Sequence, residues 1–447
     1  MKQFGIILLL LLSTIITFSQ NPICPPGLNI ADPSTHVWKD GRLYVYGSRD
    51  ESLKYYCSYD HWVLSTTDLQ HWDYTPNVFA SKGENDQIPW NDLLLFAPDV
   101  AYRDGKYFMY FCQPGKREGV AIGNSPTGPF SQAKPMYLKD KSQIDPAVFI
   151  DDDGQAYYMW GQFQAKIAKL KPNMTEIDTT TIVDSLVTQK EHFFHEGGYM
   201  VKRKGIYYFV YAHMGRKGMP TCIGYATSKS PLGPFKYGGV IVDNDGCDPA
   251  NWNNHGSIVE FKGQWYVFYH RTTHGVKNMR KACIEPIYFN ADGSITEVEM
   301  TSQGAGKPLD AFSKIEAERA CLLFGNARIE YLTNDPENPL NPTNNDQIAQ
   351  IEKDDWAAYK FINFGAGAKS IEICVKQPTK PAKIQIQIDN LWGSPAGFVN
   401  IPGGGDGKSY TAFSSDIKLT AGIHTFYLIF TTSEGEQLNV DWFKFVR

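Results

Sequence analysis

Three carboxylates and one imidazole stand at matching places in the first two thirds of the chain. Each lies eight or nine residues before the glycine of a hairpin turn, just ahead of a strand: these residues are Asp32, Asp145, Glu196 and His255. A single acid before a strand is an ordinary turn residue. Four ionisable residues in one register serve no purpose in folding, because grouping like charges is costly. The pattern therefore indicates a site for acid–base chemistry.

The elements that would position these residues are the units of a fivefold repeat. A glycine turn followed by alternating aromatic residues recurs at 40–48, 104–111, 153–161, 204–212 and 262–270. The period is roughly 50 residues, enough for a four-stranded blade. A second echo, SPTGPF and SPLGPF, places the same Pro-Gly turn in two repeats. The sequence predicts an all-β chain with a five-bladed β-propeller over residues 21–305, whose inner strands bring the four residues together on the axis.

Carboxylates grouped in this way can hydrolyse a glycosidic bond. One carboxylic acid protonates the leaving oxygen while a carboxylate activates water, and inverting enzymes hold the two ~6.5–9.5 Å apart. Glu196 is the better candidate for the acid, because a longer side chain among apolar neighbours can have its pKa raised. Asp32 would then be the base, and Asp145 a like charge that tunes and orients the acid.

Composition limits the other possibilities. The net charge is −5 and no basic stripe occurs, so nucleic acid is not an expected partner. Aromatic residues make up 14% of the chain, which suits sugar stacking and strand formation equally. The eight cysteines contain no C-x-x-C pair, which argues against zinc and redox motifs and leaves any disulfide pairing open.

Residues 1–20 have the features of a secretory signal peptide. They carry one lysine, an apolar run too short for a membrane span and a polar exit. We therefore expect an exported protein, secreted or periplasmic, that has no transmembrane segment and acts as a monomer. Pro22 and Ile23 ahead of Cys24 fit a lipoprotein signal poorly, so a lipid anchor is not favoured.

The repeat stops before KIEAERA at 314–320, and alternating strands continue to the C-terminus. We expect a linker at 306–312 and a β-sandwich of the jelly-roll type at 313–447. Glu316 and Glu318 alternate onto one face of the first strand, and Asp441 lies in the last strand. If these strands are neighbours, the three carboxylates form a calcium site. The alternative is exposed charge on edge strands.

The propeller motifs closely resemble those of glycoside hydrolase family 43. The resemblance covers the whole propeller and is carried by ADPSTHVWKDGRLYVYGS, FAPDVAYRDGKYFMYF, IDPAVFIDDDG, the lone Glu196 and HGSIVEFKGQWYVFYH. It implies an inverting exo-acting or debranching glycosidase of plant cell-wall polysaccharide, usually an α-L-arabinofuranosidase or β-xylosidase. By position, it makes Asp32 the general base, Asp145 the pKa modulator and Glu196 the general acid.

The same resemblance suggests roles for residues around the acids. His255 would ligate a calcium ion or a water cluster under the site, or else belong to the core. Phe96 stands where relatives often carry a tryptophan that walls the sugar pocket, and a core position would suit it equally. Arg271 would reach the sugar hydroxyls. Gly197 and Gly198 replace the Gly-Pro or Ala-Pro of many relatives, which leaves the identity of the sugar less well defined.

The C-terminal segment resembles the family 6 carbohydrate-binding modules, more loosely, in IEAE, DDWAAYKF, LTAGIHTF and NVDWFKF. The resemblance supports structural calcium at the three acids named above and makes Asn439 a candidate sugar contact. Two aromatic positions of the usual binding site are Gln350 and Lys408 here, so a sugar ring would lack its stacking platform. We expect the fold of the module and do not count on its binding activity.

Two alternatives remain for the function. The same fold could act on galactofuranosides, galactosides or internal arabinan bonds, and an open groove would signal the endo-acting form. A protein of another class, a catalytically silent polysaccharide-binding protein, would keep the propeller but gain nothing from burying three like charges. The leading hypothesis is an exported glycosidase that acts on arabinoxylan, arabinan or their oligosaccharides.

Overall fold

The structure is a computed structural model that describes residues 20–115, 117–138, 143–419 and 421–447. The predicted signal peptide thus lies outside the described residues, except for Gln20. Helical segments in the described ranges are short: the α-helical turn α1 (Gln189–His192) and the 3-10 turns Thr179–Thr181 and Ala317–Arg319. None of the described helices is long and apolar enough to cross a membrane.

Residues 30–287 form the five blades of a β-propeller, as the repeat predicts. Blade one contains β1 (Ile30–Val37), β2 (Leu43–Arg49), β3 (Asp60–Thr66) and β4 (Asp73–Ala80); blade two β5 (Phe96–Arg103), β6 (Lys106–Gln113), β7 (Arg117–Gly123) and β8 (Ser131–Pro135); blade three β9 (Ala147–Ile150), β10 (Ala156–Trp160), β11 (Gln164–Lys169) and β12 (Val183–Thr188); blade four β13 (Phe194–Arg203), β14 (Ile206–His213), β15 (Cys222–Ser228) and β16 (Lys236–Asp243); and blade five β17 (Ser257–Phe261), β18 (Gln264–Thr273) and β19 (Val276–Ile287). The strands of each blade pair in chain order. The first strands of neighbouring blades contact one another in a closed ring around the axis.

The turn between the first two strands of each blade depends on its glycine. Gly41, Gly105, Gly154, Gly205 and Gly263 all have positive φ, between 71° and 82°. Residues with a Cβ rarely adopt this conformation, whereas glycine does so freely. One such turn in each blade confirms that the five sequence repeats are the five blades.

The segment that precedes blade one covers the outer edge of three-stranded blade five. Asn21 N donates to Ser302 O and Ile23 N donates to Ala282 O, both at 2.9 Å. The fully buried Asn21 side chain donates to Ile284 O at 3.0 Å and accepts from Ile284 N at 2.9 Å. The start of the described chain therefore closes the propeller against its last blade.

The C-terminal domain is a β-sandwich, as predicted. Its strands in chain order are β20 (Leu309–Asp310), β21 (Ile315–Glu316), β22 (Leu322–Phe324), β23 (Arg328–Thr333), β24 (Asn345–Ile351), β25 (Trp356–Asn363), β26 (Ala368–Lys376), β27 (Ala382–Ile388), β28 (Gly397–Ile401), β29 (Tyr410–Leu419), β30 (Ile423–Thr432) and β31 (Leu438–Val446). One layer contains β20, β22, β25, β27, β28 and β30, and the other contains the remaining strands. The layers meet at one edge through a single pair, Gly397 and Ile417, and enclose a core that includes Tyr359, Phe426 and Phe443.

The boundary between the two domains differs from the prediction. Within the predicted linker 306–312, Leu309 and Asp310 pair with β25 of the sandwich. Leu309 and Ala311 are buried in the sandwich core. Apolar side chains gain more from this burial than from a solvated linker, so the sandwich begins at residue 309 and not at residue 313.

The fold is held by packing and not by disulfides. All eight cysteines lie in the described ranges, and each is a buried free thiol. The cores between blades are rich in aromatic rings, for example where Tyr46 of blade one joins Met109 and Phe111 of blade two. Such rings bury large apolar areas, which is the main source of stability in a domain of this size.

Candidate active site

The four ionisable residues that precede the inner strands line one pocket at one end of the propeller axis. The pocket has a volume of about 190 Å³, and its lining residues are Asp32, Tyr56, Cys57, Phe96, Ala97, Ile144, Asp145, Glu196, Trp252, Asn253, His255 and Arg280. Asp145 and His255 also border a second cavity on the axis, which has a volume of only about 10 Å³. The pocket is therefore blind, and a ligand can enter it only from the rim.

Irregular backbone at the start of the inner strands turns the site residues toward the axis. Asp32 and Asp145 have φ angles of 52° and 56°. The strand register shifts around Asp32 and on both sides of Glu196, and a similar shift follows Phe96 in blade two. Bulges of this kind redirect side chains and are common beside active sites. The local backbone therefore positions four of the lining residues in the pocket: Asp32, Phe96, Asp145 and Glu196.

Asp32 is a buried carboxylate that the site keeps ionised. Its Oδ1 accepts from Arg280 Nη1 at 2.8 Å, and its Oδ2 accepts from Ser48 Oγ at 2.7 Å. The Nδ1 atoms of His270 and His255 lie 3.4 and 3.6 Å from Oδ1. Burial alone would raise the pKa of Asp32, but the guanidinium and the two imidazoles outweigh it and hold this pKa well below its usual range. Asp32 is thus ionised, which is the state that a general base requires before it accepts a proton.

Arg280 is shared between two buried carboxylates. Besides its bond to Asp32, it donates through Nε and Nη2 to the two oxygens of Asp50, at 2.9 Å each. Its guanidinium lies 4.9 Å from the ring centre of Tyr56, which lines the pocket. Burial would lower the pKa of Arg280, yet the two carboxylates raise it well above its ordinary value. The two-oxygen contact fixes both the charge and the orientation of the guanidinium.

Asp145 shows the opposite electrostatic behaviour to Asp32. Its carboxyl is buried, and its backbone N–H lies 3.4 Å from Cys112 Sγ. Burial raises the pKa of Asp145 well above its usual value, and the carboxylates of Glu196 and Asp32 add to the effect. The protonation of Asp145 therefore depends on the charges of the two acids beside it.

Glu196 is more exposed than Asp32: its side chain is 13% accessible, against 7% for Asp32. Its Oε2 accepts from Gln162 Nε2 at 2.9 Å, and His195 Nε2 lies 3.8 Å away. The side chain is therefore held by the Gln162 amide, with an imidazole nearby, while remaining within reach of a ligand that enters from the rim.

Gly197, directly after Glu196, is required by the packing of His255. Its φ is 66°, and a Cβ at this position would lie 2.5 Å from His255 Nε2. Burial lowers the pKa of His255, and Asp32 partly opposes that effect. Within the part of the chain that the structure describes, no group of three His, Cys, Asp or Glu residues is arranged to hold a metal ion. Calcium at His255 therefore stays a prediction.

The position of Arg271 corrects the expectation that this residue contacts the sugar. Arg271 is buried in blade five, where Nη2 donates to Tyr269 Oη at 2.8 Å and to Thr301 O at 2.5 Å. Successive residues of a strand face opposite sides, so His270 faces Asp32 and Arg271 points away from it. The cation in the pocket is Arg280 of the neighbouring strand.

Two exposed aromatic rings stand beside Glu196 and were not expected from the sequence. Trp252, which lines the pocket, is 40% exposed, and Phe163 is 49% exposed. Both rings contact His195 edge-on, with centroid distances of 6.3 and 5.3 Å. They lie in loops outside the repeated hairpins, so the repeat gave no signal for them. Together they provide flat apolar faces at the rim.

The three acids predicted to hold calcium in the sandwich are arranged differently from the expectation. The first and last strands do pair, but Glu318 lies in a 3-10 turn and not on a strand face with Glu316. Asp441 accepts from Asn345 Nδ2 at 3.0 Å, and Lys314 Nζ lies 2.9 Å from Glu316 Oε1. Glu316 Oε2 and Glu318 Oε2 are buried and have no hydrogen-bond partner. These two oxygens are therefore the unsatisfied acid oxygens near the predicted calcium site, and calcium there stays a prediction.

Asn439, the candidate sugar contact of the sandwich, is engaged within the domain. Its side chain is hydrogen-bonded to Tyr410, whose hydroxyl donates to Gln347 Oε1. Lys408 is exposed and Gln350 is half-buried, at the two positions where the aromatic platform would lie. The structure therefore shows no pair of facing rings at these two positions.

Three grouped carboxylates at the end of a propeller axis, one of them held ionised, provide the acid and the base that hydrolysis of a glycosidic bond needs. The model of the family "Glycosyl hydrolases family 43" matches residues 19–295, and that of "Carbohydrate binding module (family 6)" matches residues 333–447. The chain belongs to glycoside hydrolase family 43 and carries a family 6 module.

Relatives share both domains with this chain. The "Arabinoxylan arabinofuranohydrolase" of Bacillus subtilis is 30% identical over 96% of this chain and 93% of its own length. The "Xylosidase/arabinosidase" of Thermoclostridium stercorarium is 31% identical over 94% of this chain and 97% of its own length. The crystal structure of the Bacillus subtilis family 43 arabinoxylan arabinofuranohydrolase in complex with cellotetraose has a TM-score of 0.56 at 28% identity, and the match covers 96% of this chain and 99% of that one.

Proposed function

We propose that the protein is an exported, inverting glycosidase that removes arabinofuranosyl or xylosyl residues from arabinoxylan or its oligosaccharides. The observation that carries the proposal is the pairing of Asp32 with Arg280, which holds an ionised base in the same blind pocket as Glu196. The full-length relatives named for arabinoxylan, arabinose and xylose support the choice of substrate.

In the proposed reaction Asp32 accepts a proton from a water molecule as its oxygen attacks the anomeric carbon. Glu196 gives its proton to the leaving oxygen as the glycosidic bond breaks. One water is consumed, Asp32 ends protonated and Glu196 ends ionised, and exchange with solvent restores both. Arg280 keeps the base ionised before the step, and Asp145 tunes the charge shared by the three acids.

The shape of the pocket supports removal of a terminal or branching sugar. Because the axis is closed below the acids, a continuous polymer cannot thread through the site. The sugar that is cleaved enters the pocket, and the rest of the substrate stays at the rim. There, Trp252 and Phe163 offer faces on which sugar rings of a chain can stack.

Two further parts of the proposal concern location and calcium. Export rests on the signal-like residues 1–20, and sequencing the N-terminus of protein recovered outside the cytoplasm would test it. A calcium ion in the sandwich would be held by Glu316 and Glu318, whose unpartnered oxygens suit a hard cation. Thermal melts with calcium and with EGTA test this part, since a bound ion raises Tm and its removal lowers it.

The test of the activity is hydrolysis of 4-nitrophenyl α-L-arabinofuranoside and β-D-xyloside by the mature protein. Asp32→Asn should lower kcat by roughly 10²–10⁴-fold or more. Glu196→Gln should lose far less on these substrates than on arabinoxylan, because nitrophenolate leaves without a proton. Asp153→Asn, an exposed turn acid, is the matched control.

Three outcomes would contradict the proposal. If Asp32→Asn is as active as the Asp153→Asn control, Asp32 is not the general base. Proton NMR of the sugar released first should show the anomer opposite to that of the substrate, and the same anomer would overturn inversion. No turnover of either aryl glycoside, arabinoxylan or arabinan would favour another furanoside or the silent binding protein.

A further inference from the structure

The β18–β19 hairpin of blade five lies between the catalytic pocket and the sandwich. It is formed by Gln264–Thr273 and Val276–Ile287, which are joined by a turn at His274 and Gly275. One side of the hairpin faces the pocket, and its tip and other side meet the sandwich. Any displacement of the hairpin would therefore change both the pocket and the contact with the sandwich.

On the pocket side, the hairpin holds both the base and one pocket wall. Arg280 of β19 donates to Asp32 at 2.8 Å. Asn278, two residues earlier, donates through Nδ2 to Ser52 O at 2.8 Å and to Tyr55 O at 2.9 Å. The loop that it holds continues directly into the residues that line the pocket. The position of β19 therefore determines where the guanidinium and this wall lie.

The tip of the hairpin packs against β23 of the sandwich. His274 N donates to Ile329 O at 2.7 Å, and the ring centres of His274 and Tyr331 are 4.1 Å apart. A Cβ on Gly275 would lie 2.4 Å from Arg328 Cδ, so the contact leaves no spare space. Close packing of this kind transmits displacement and does not absorb it.

A buried ion pair joins the hairpin to the sandwich at the residue next to Arg280. Lys281 Nζ lies 2.8 Å from Asp346 Oδ2, with the two side chains only 3% and 1% exposed. Lys281 directly follows Arg280 on the strand, so the two side chains point to opposite sides. A buried ion pair is a poor source of stability but fixes the groups that it joins in one arrangement. Here it fixes the residue next to Arg280.

We infer that the sandwich is a positioning part of the active site: Tyr331 and Asp346 hold the blade-five hairpin so that Arg280 stays against the catalytic base. Both residues act through the hairpin and touch no reacting atom. This role needs no sugar on the sandwich, in agreement with the two polar residues where the aromatic platform would lie. The role of Tyr331 and Asp346 in the reaction rests on the glycosidase activity proposed above, whereas their contacts with the hairpin do not depend on it.

The test compares full-length variants on the aryl glycoside that the wild type hydrolyses. Tyr331→Ala removes the ring against His274, and we expect kcat to fall roughly tenfold, because a small displacement of a catalytic group is costly, with KM within about twofold. Tyr331→Phe keeps the ring and should restore kcat. Tyr427→Ala, another half-buried tyrosine of the sandwich, is the matched control and should leave kcat unchanged.

A second measurement keeps the inference testable whatever the substrate proves to be. Hydrogen exchange should be faster across residues 264–287 in Tyr331→Ala and unchanged there in Tyr427→Ala. If Tyr331→Ala does not fold, Asp346→Asn, which keeps the side-chain shape, takes its place in both measurements. A wild type with no activity would refute the proposed function alone. Exchange and kcat that match those of the Tyr427→Ala control would overturn the inference.

Discussion

Replacing Arg280 with methionine tests the electrostatics of the proposed base. Arg280 Nη1 lies 2.8 Å from Asp32 Oδ1, which places the two charge centres about 4 Å apart. At an effective dielectric constant of ~20, such a pair interacts by about 4 kcal/mol, or about three pKa units. His270 and His255 remain beside the carboxylate, so we expect the pKa of Asp32 to rise by about one to three units.

The assay is the pH dependence of kcat/KM on the aryl glycoside. Without the cation, Asp32 binds a proton at pH values where the wild-type carboxylate is ionised. The acid limb of Arg280→Met should therefore move to higher pH, and its activity deficit should grow as the pH is lowered into the acid range. Asp50→Asn is the control of opposite sign, because it leaves Arg280 to Asp32 alone and should keep the limb in place or move it lower.

One result would refute this reasoning. If Arg280→Met lowers activity equally at all pH values and its acid limb coincides with that of the wild type, the arginine acts by shape and not by charge. Should Asp50, left buried without its partner, prevent folding of the single variant, Arg280→Met combined with Asp50→Asn removes both charges. The double variant should show the same upward shift.

Three further predictions concern the rim, the core and the turn after the acid. Trp252→Ala should raise KM for arabinoxylan about three- to tenfold more than KM for the aryl glycoside, as expected for a lost stacking contact. The control is Phe193→Ala: Phe193 is 46% exposed but is not among the residues that line the pocket, so this variant should change neither KM. Equal effects of Trp252→Ala on both substrates would contradict the assignment of Trp252 to the rim. Burial raises the pKa of Glu118 from its ordinary 4.5 to about 8, so ionisation of Glu118 opposes folding. The free energy of unfolding of the wild type, measured in urea, should therefore fall between pH 5 and pH 8, and Glu118→Gln should reduce this fall. Parallel pH profiles of the two proteins would refute the prediction. Gly197→Ala should lower kcat, because its Cβ would meet the His255 ring, and wild-type kinetics would show that the ring can move aside.

The fold and the acids could be predicted because their signals are local. A glycine that must adopt positive φ and the alternation of strand residues both lie within about ten residues of each inner strand. The register of Asp32, Asp145 and Glu196 with these turns then follows from the repeat. No structure is needed to see that equivalent positions on successive blades meet at the axis.

The errors have equally physical causes. Arg271 and Arg280 both look like charged residues on the strands of blade five, and a shift of one residue reverses the face of a side chain. The sequence does not show which arginine faces Asp32 until the pairing of β18 with β19 is known. Glu318 was assigned to a strand that ends at Glu316. Trp252 and Phe163 lie in loops, where no periodicity applies.

The place of Asn21 has a consequence for how the chain is made. Its side chain bonds to Ile284 and Thr301, which follow it by 263 and 280 positions. During synthesis the first residues therefore have no final partners until blade five has left the ribosome. Contacts of such long separation form slowly, so the ring closes late. In the exported protein proposed above, this delay would keep the polypeptide in a form that can be translocated.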